Sequence, residues 1–157
     1  MKAGVDCNAE RITITGLDAM PGKQHPAPLP SNHDLDASLG WMLTHTRTLE
    51  DLYDNVQHLG LATLVADDTG AYVMANHGAF LLTGYTPEEL RRMSVWDLIP
   101  PAGDVDAQAL WRSFLRILHQ TGTITLRTKS GAFVTARYAA RAHVIAGLHL
   151  SLLAALA

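Results

Sequence analysis

Eight histidines stand in this chain, and histidine is both the commonest metal ligand and the side chain that changes charge nearest neutrality. His25, His33, His45 and His58 fall in a proline-containing leader or a helical segment, where exposure to solvent is the expected state. His77 follows a potential helix cap, at the rim of whatever cleft that helix borders. His119 closes an apolar helical run, where the negative end of the helix dipole favours a cation. His143 and His149 lie in strand-like runs and are expected to be ordinary surface or edge residues. No nucleophile elbow, phosphate loop or His-Glu-x-x-His spacing is present. Acid–base catalysis needs a buried acid or histidine, and the nearest carboxylates, Asp67, Asp68 and Asp97, belong to a turn or a helix end. Phe80, Tyr85, Trp96, Trp111 and Tyr138 could wall a cleft for a flat ligand, with Asn76 as a polar donor. Core filling and helix capping are the simpler roles for these six.

The bulk properties narrow the classes further. A length of 157 residues suits one domain with an appendage, and 48% apolar with 17% charged residues is ordinary for a soluble globular chain. A net charge of −3 offers no polycationic face, so direct nucleic-acid binding is not expected. The single cysteine, Cys7, permits no internal disulfide and fits a reducing compartment. Asp6, Glu10 and Arg11 stand where a signal peptide needs an apolar core. The apolar run 144–157 carries His149 and is shorter than the ~20 residues of a membrane helix. The expected location is the cytoplasm, with no membrane contact.

Positioning elements follow from local signals. Residues 1–31 read as a flexible tail in which Pro21, Pro26, Pro28 and Pro30 favour extended backbone, with a short strand conceivable at 11–17. Residues 32–58 form an amphipathic helix: Leu35, Met42, Leu49 and Val56 recur at seven, with Leu39 and Tyr53 beside them. This stripe serves packing on the chain's own domain or contact with a second copy. Thr44, Thr46 and Thr48 weaken the helix, so a kink near Thr46 would give two helices, with Gly60 as the stop. Residues 61–66 and 71–75 read as strands around the turn Asp67-Asp68-Thr69-Gly70. Asn76 caps a short helix with Gly84 at its exit, and Thr86-Pro87-Glu88-Glu89 spells a capping box with proline at the first helical position. Pro100-Pro101 breaks the chain before a longer helix, capped by Asp104 or Asp106 and ended by Gly122. That helix places Leu110, Phe114, Ile117 and Leu118 on one face, with Trp111 and Leu115 beside it. Strands return at 123–129, from Phe133 onward, and within 145–156. The order predicts an α+β domain over 59–157 with a five-stranded antiparallel sheet, short helices on one face and the N-terminal amphipathic helix.

The wording Asp-x-x-Gly…Ala-Asn-x-x-Phe-x-x-x-Thr-Gly-Tyr-Thr-Pro-Glu-Glu-Leu over residues 67–90 resembles the PAS domain family, and the likeness extends across 59–156. It departs in two places: the loop 142–147 lacks the family's Asp and Gly richness, and the Asp-Ile-Thr wording after the last strand is missing. The resemblance implies a non-enzymatic sensory and dimerisation module in signal transduction or transcription regulation. That module binds a small, largely apolar or aromatic ligand or a partner protein, and acts on an output domain. The chain then reads as a truncated sensor or a stand-alone module. The implied pocket is lined by Leu64, Asn76, Phe80, Leu81, Tyr85, Trp96, Trp111, Phe114, Leu118, Leu126, Tyr138, Leu148 and Leu150, and the implied homodimer contact by Leu35, Leu39, Met42, Leu49, Tyr53 and Val56. No cofactor is the first expectation; the alternative is a redox or gas sensor holding non-covalent flavin or, less readily, haem through His77 or His119. Flavin photochemistry through a cysteine is excluded, because residues 76–98 contain none. A small enzyme of α+β cone type, using the same cavity, is the third reading.

Overall fold

The computed structural model describes residues 32–100 and 106–156, so the leader, its suggested strand at 11–17, and Asp104 lie outside the described residues. Five strands form the sheet: β1 (Ala62–Asp67), β2 (Tyr72–Ala75), β3 (His119–Arg127), β4 (Phe133–Ile145) and β5 (Leu148–Ala155). Their order is β2-β1-β5-β4-β3, and every neighbouring pair is antiparallel. Side chains alternate across a strand, so β5 sends Leu150 and Leu152 to one face and Leu153 to the other.

The first face is covered by α1 (Asn32–His45), whose Leu35, Leu39 and Met42 pack with Val65, Ala139, Leu150 and Leu152. Helix α2 (Leu49–His58) adds Leu52 and Val56 to the same cluster. The helices separate at residues 46–48 because Thr48 and Asp51 close a capping box there. Asn55 Nδ2 then ties the corner by donating to the His45 carbonyl and to Thr46 Oγ1, both at 3.1 Å. A seven-residue count does not carry across such a break. Leu35, Leu39, Met42 and Val56 are buried against the chain's own sheet, whereas Leu49 and Tyr53 are exposed.

The second face carries the short helices α3 (His77–Thr83), α4 (Pro87–Leu90) and α5 (Val95–Leu98), then α6 (Ala107–Ile117). Ala79, Leu90 and Leu98 pack with Leu64, Ala66, Leu126 and Leu153, and Phe114 of α6 packs on Ala140 and Ala142. Asp106 caps α6 by accepting the Gln108 and Ala109 N–H groups. That helix ends sooner than its apolar pattern predicts. Leu118 takes the left-handed conformation (φ 76°) as its cap, and β3 starts at His119 instead of residue 123. Gly122 therefore lies within a strand. Its missing side chain leaves room for the Tyr138 ring, which an added Cβ would meet at 3.3 Å. The expected loop at 142–147 is also absent, because Ile145 pairs with Leu148 around Ala146 and Gly147 (φ 78°). Among the described residues no helix is long and apolar enough to cross a membrane.

Candidate functional site

A cavity of about 500 Å³ lies between the second sheet face and α5 and α6. Residue size along the ladder explains it. Ala66 on β1, Ser151 on β5 and Ala140 on β4 are small, and they line the floor together with Leu64 and Gln120. Pairing puts Gln120, Ala140, Ser151 and Leu64 in one row, with Ala66 beside His149 in the next. The large side chains stand around this floor: Tyr72, Trp96, Trp111, Phe114 and Tyr138. Trp96 and Trp111 meet edge to face at 6.4 Å, and Trp111 also contacts Phe114 at 5.4 Å between ring centroids. Trp96 is seated on the β1–β2 turn, where Gly70 adopts φ 85° and a Cβ would come within 2.7 Å of the indole. Small residues in the floor and rigid aromatics at the edge leave space that this chain's own core does not fill.

A polar cluster meets the cavity through His149. His149, 2% exposed, places Nε2 at 2.7 Å from Asp68 Oδ1, while its Nδ1 accepts the His143 backbone N–H at 2.9 Å. A nitrogen that accepts a hydrogen bond carries no proton, so the neutral ring holds its proton on Nε2 and donates it to Asp68. The His143 amide is aimed there by a bulge, in which His143 itself has φ 57° and the β4–β5 register shifts. Burial lowers the His149 pKa from its ordinary value; the hydrogen bond to Asp68 opposes that shift and the neighbouring His143 adds to it. Trp111 joins the cluster by donating Nε1–H to the Asp68 carbonyl at 2.9 Å and standing edge-on to the His149 ring at 5.6 Å. Donor atoms of Asp68, His143 and His149 lie within 4.8 Å of one another, a spacing that suits a metal ion. The proton on Nε2 and the amide at Nδ1 nevertheless occupy both ring nitrogens of His149, so the cluster as built holds a proton.

Of the residues proposed from sequence for the pocket, Leu64, Trp96, Trp111, Phe114, Leu126, Tyr138 and Leu150 line this cavity. The others lie elsewhere, for local reasons. Asn76 is buried as the hub between α2, β1 and α3, with all its polar atoms bonded to backbone. On α3, Phe80 packs beside His77, and Leu81 is 71% exposed. Tyr85 supports the Ala79–Leu90 cluster. Leu118 is an exposed helix cap, and Leu148 packs on the α1 face. His77 and His119 are exposed and do not line the cavity, so neither stands where an axial ligand to a group bound there would be needed. Sequence reasoning missed the small floor residues Ala66 and Ala140 and, among the polar lining residues, Tyr72, Gln120, His149 and Ser151. A signal was present for His149 and Ser151, which alternate with leucines on one strand.

The carboxylates named from sequence are committed to turns and caps. Asp67 Oδ1 accepts from the Thr69 N–H and hydroxyl and from the Ala71 N–H. Burial pushes its pKa up, and those hydrogen bonds outweigh it, leaving the group below its ordinary value. Asp97 accepts from the Ser94 N–H and Oγ.

No protein-family model matches the chain, and no curated protein sequence does. Solved structures do match. The PAS domain of a protein from Colwellia psychrerythraea aligns with a TM-score of 0.56 at 19% identity, over 69% of this chain and 96% of that one. A domain of the sensory box sensor histidine kinase/response regulator from Geobacter sulfurreducens gives 0.56 at 19% identity, over 62% and 85%. The LOV protein of Rhodobacter sphaeroides gives 0.58 at 16% identity, over 68% and 66%. The chain therefore has the PAS fold, as the α+β reading of its sequence and its resemblance to PAS domains led us to expect.

Proposed function

We propose that this chain is a non-enzymatic sensory module that binds a small, flat, largely apolar molecule in the cavity between the sheet and α5–α6. The observation that carries the reading is the pairing of a small-residue floor, Ala66, Ala140 and Ser151, with the aromatic walls Trp96, Trp111 and Phe114. One structural neighbour is a domain of a sensor histidine kinase/response regulator, which supports the same class. An occupant would press on Trp111 and Phe114, and through them on α6 and the Asp68–His149 cluster, biasing two states of an attached output segment. That output is a kinase or a transcription regulator in this reading, and the module works in the cytoplasm. The two tryptophans and the Gln120 amide also suit the flat ring system and polar edge of a non-covalent flavin, which is the second reading. For self-association, Leu49 and Tyr53 are the part of the helical stripe left to a second copy, and sedimentation equilibrium tests it.

The test combines a UV–visible spectrum of the purified protein with an Ala140→Leu variant. Ala140 lies in the floor, so three added carbons fill cavity space. If all were buried without strain, about 2 kcal/mol of stabilisation would follow, and overpacking takes back a similar amount. The expected result is a fold of near wild-type stability that no longer takes up ligand. Unchanged uptake by a folded Ala140→Leu protein would remove the cavity from the proposal. Flavin absorption bands in the wild type would select the cofactor reading.

A further inference from the structure

Tyr72 is 4% exposed and lines the cavity, yet its hydroxyl has no hydrogen-bond partner among the described residues. Buried phenols ordinarily find a partner, because a hydroxyl taken from water and left unpaired is costly. Asp97, whose field reaches the phenol, makes no hydrogen bond with it; the Asp97 Oδ2 accepts the Ser94 N–H and hydroxyl at 2.8 and 3.1 Å. Tyr72 sits on the edge strand opposite Ala66, whose methyl leaves the space beside it unfilled. Burial and the field of Asp97 push the phenol's pKa upward, so the group is a proton donor throughout the neutral range. No lysine or arginine lines the cavity among the described residues, while two of its lining residues lie beside carboxylates: Tyr72 feels the field of Asp97, and His149 is hydrogen-bonded to Asp68.

We infer that the cavity selects a neutral planar aromatic molecule bearing a hydrogen-bond acceptor, a ring nitrogen or a carbonyl, that receives the Tyr72 hydroxyl proton. The inference rests on the ligand-site reading above and adds the chemical class. A purely hydrocarbon occupant would leave the phenol orphaned. A carboxylate would enter a cavity with no cation to meet it and with acidic groups nearby. Gln120 and Ser151, which also lack side-chain partners among the described residues, supply a second polar edge across the floor.

Quinoline and naphthalene share a shape and differ in one acceptor nitrogen, so they test the inference directly; 2-naphthoate adds the charge. Binding of each to the full chain and to Tyr72→Phe is measured by ligand-observed NMR titration. The expected result is quinoline about tenfold tighter than naphthalene in the wild type, 2-naphthoate weakest, and the quinoline preference lost in Tyr72→Phe. Without ligand, Tyr72→Phe should melt no lower than wild type, because it removes a hydroxyl that bonds to nothing. Equal binding of quinoline and naphthalene, a preference that survives Tyr72→Phe, or 2-naphthoate as the tightest probe would overturn the inference and leave the cavity as a ligand site. A clear drop in the melting temperature of ligand-free Tyr72→Phe would overturn it too, by revealing an internal partner. Absence of binding by all three probes would remove the ligand-site reading itself.

Discussion

Replacing Asn76 by aspartate separates two accounts of the position that look alike from sequence. As a helix cap alone, asparagine and aspartate are nearly equivalent, and the change should cost a few tenths of a kcal/mol. In the structure the side chain does more. Oδ1 accepts the Thr63 and Ala79 N–H groups, both at 3.0 Å, and Nδ2 donates to the carbonyls of Val56, Leu59 and Leu61 at 3.1, 3.1 and 2.8 Å. The residue is 1% exposed, so water does not replace a lost partner. Aspartate keeps both acceptor contacts and turns a negative oxygen toward three carbonyl oxygens. With a buried unsatisfied group costing about 1–3 kcal/mol and a charged one more, we expect a loss of at least about 3 kcal/mol at neutral pH. Against a total of about 5–15 kcal/mol for a domain, that is a large share. Asn76→Ala, which strands the Thr63 donor and the three carbonyls while the Ala79 N–H keeps the residue-76 carbonyl at 3.1 Å, should lose about 3–5 kcal/mol. The two differ in their response to pH. The introduced carboxyl is held above its unfolded value, so its protonated form is favoured in the fold. The aspartate penalty should therefore be small below about pH 4 and grow as pH rises through the folded value, whereas the alanine penalty should not vary with pH. Urea unfolding followed by tryptophan fluorescence, at several pH values, measures both. A wild-type midpoint for Asn76→Asp at neutral pH would refute the assignment of the amide as a three-carbonyl donor.

Two further outcomes follow from the same geometry. Gly70→Ala should lose about 2–4 kcal/mol, since the residue sits at φ 85° and its new Cβ would lie 2.7 Å from the Trp96 ring; thermal melting measures the loss, and an unchanged midpoint would place Trp96 elsewhere. His149 is held neutral in the fold, so its contribution is fully present above its unfolded pKa near 6.5 and is lost as pH falls below it, with a slope of at most about 1.4 kcal/mol per pH unit. Urea midpoints of the wild type and His149→Gln across this window should diverge as pH rises, and parallel curves would contradict the buried neutral ring.

What could be read from the sequence was local. The Thr86–Glu89 box, the Asn76 cap and the Gly84 exit are each complete within a few residues, and they appear where expected, with Gly84 at φ 81°. Features that depend on distant partners were not legible. His149 looks like an edge residue until Asp68, 81 positions away, is brought to 2.7 Å, and Leu118 offers no hint of a left-handed cap, a role that usually falls to glycine. The most instructive difference is on β5, where the first two of the alternating Leu148, Leu150 and Leu152 were read as facing the pocket; Leu148 does not line it, and Leu150 borders it while packing in the α1-side cluster. That reading holds for a sheet with one buried face. Here α1 buries the second face, and three leucines in alternation are what a helix-covered face requires. The opposite parity, His149 and Ser151, is then enclosed under α5 and α6, and a strand buried on both sides has no reason to carry polar groups there unless space lies above them. Polar alternation on a central strand was thus the mark of the cavity, and it becomes readable once the amphipathic helix α1 is assigned to the far side of the sheet.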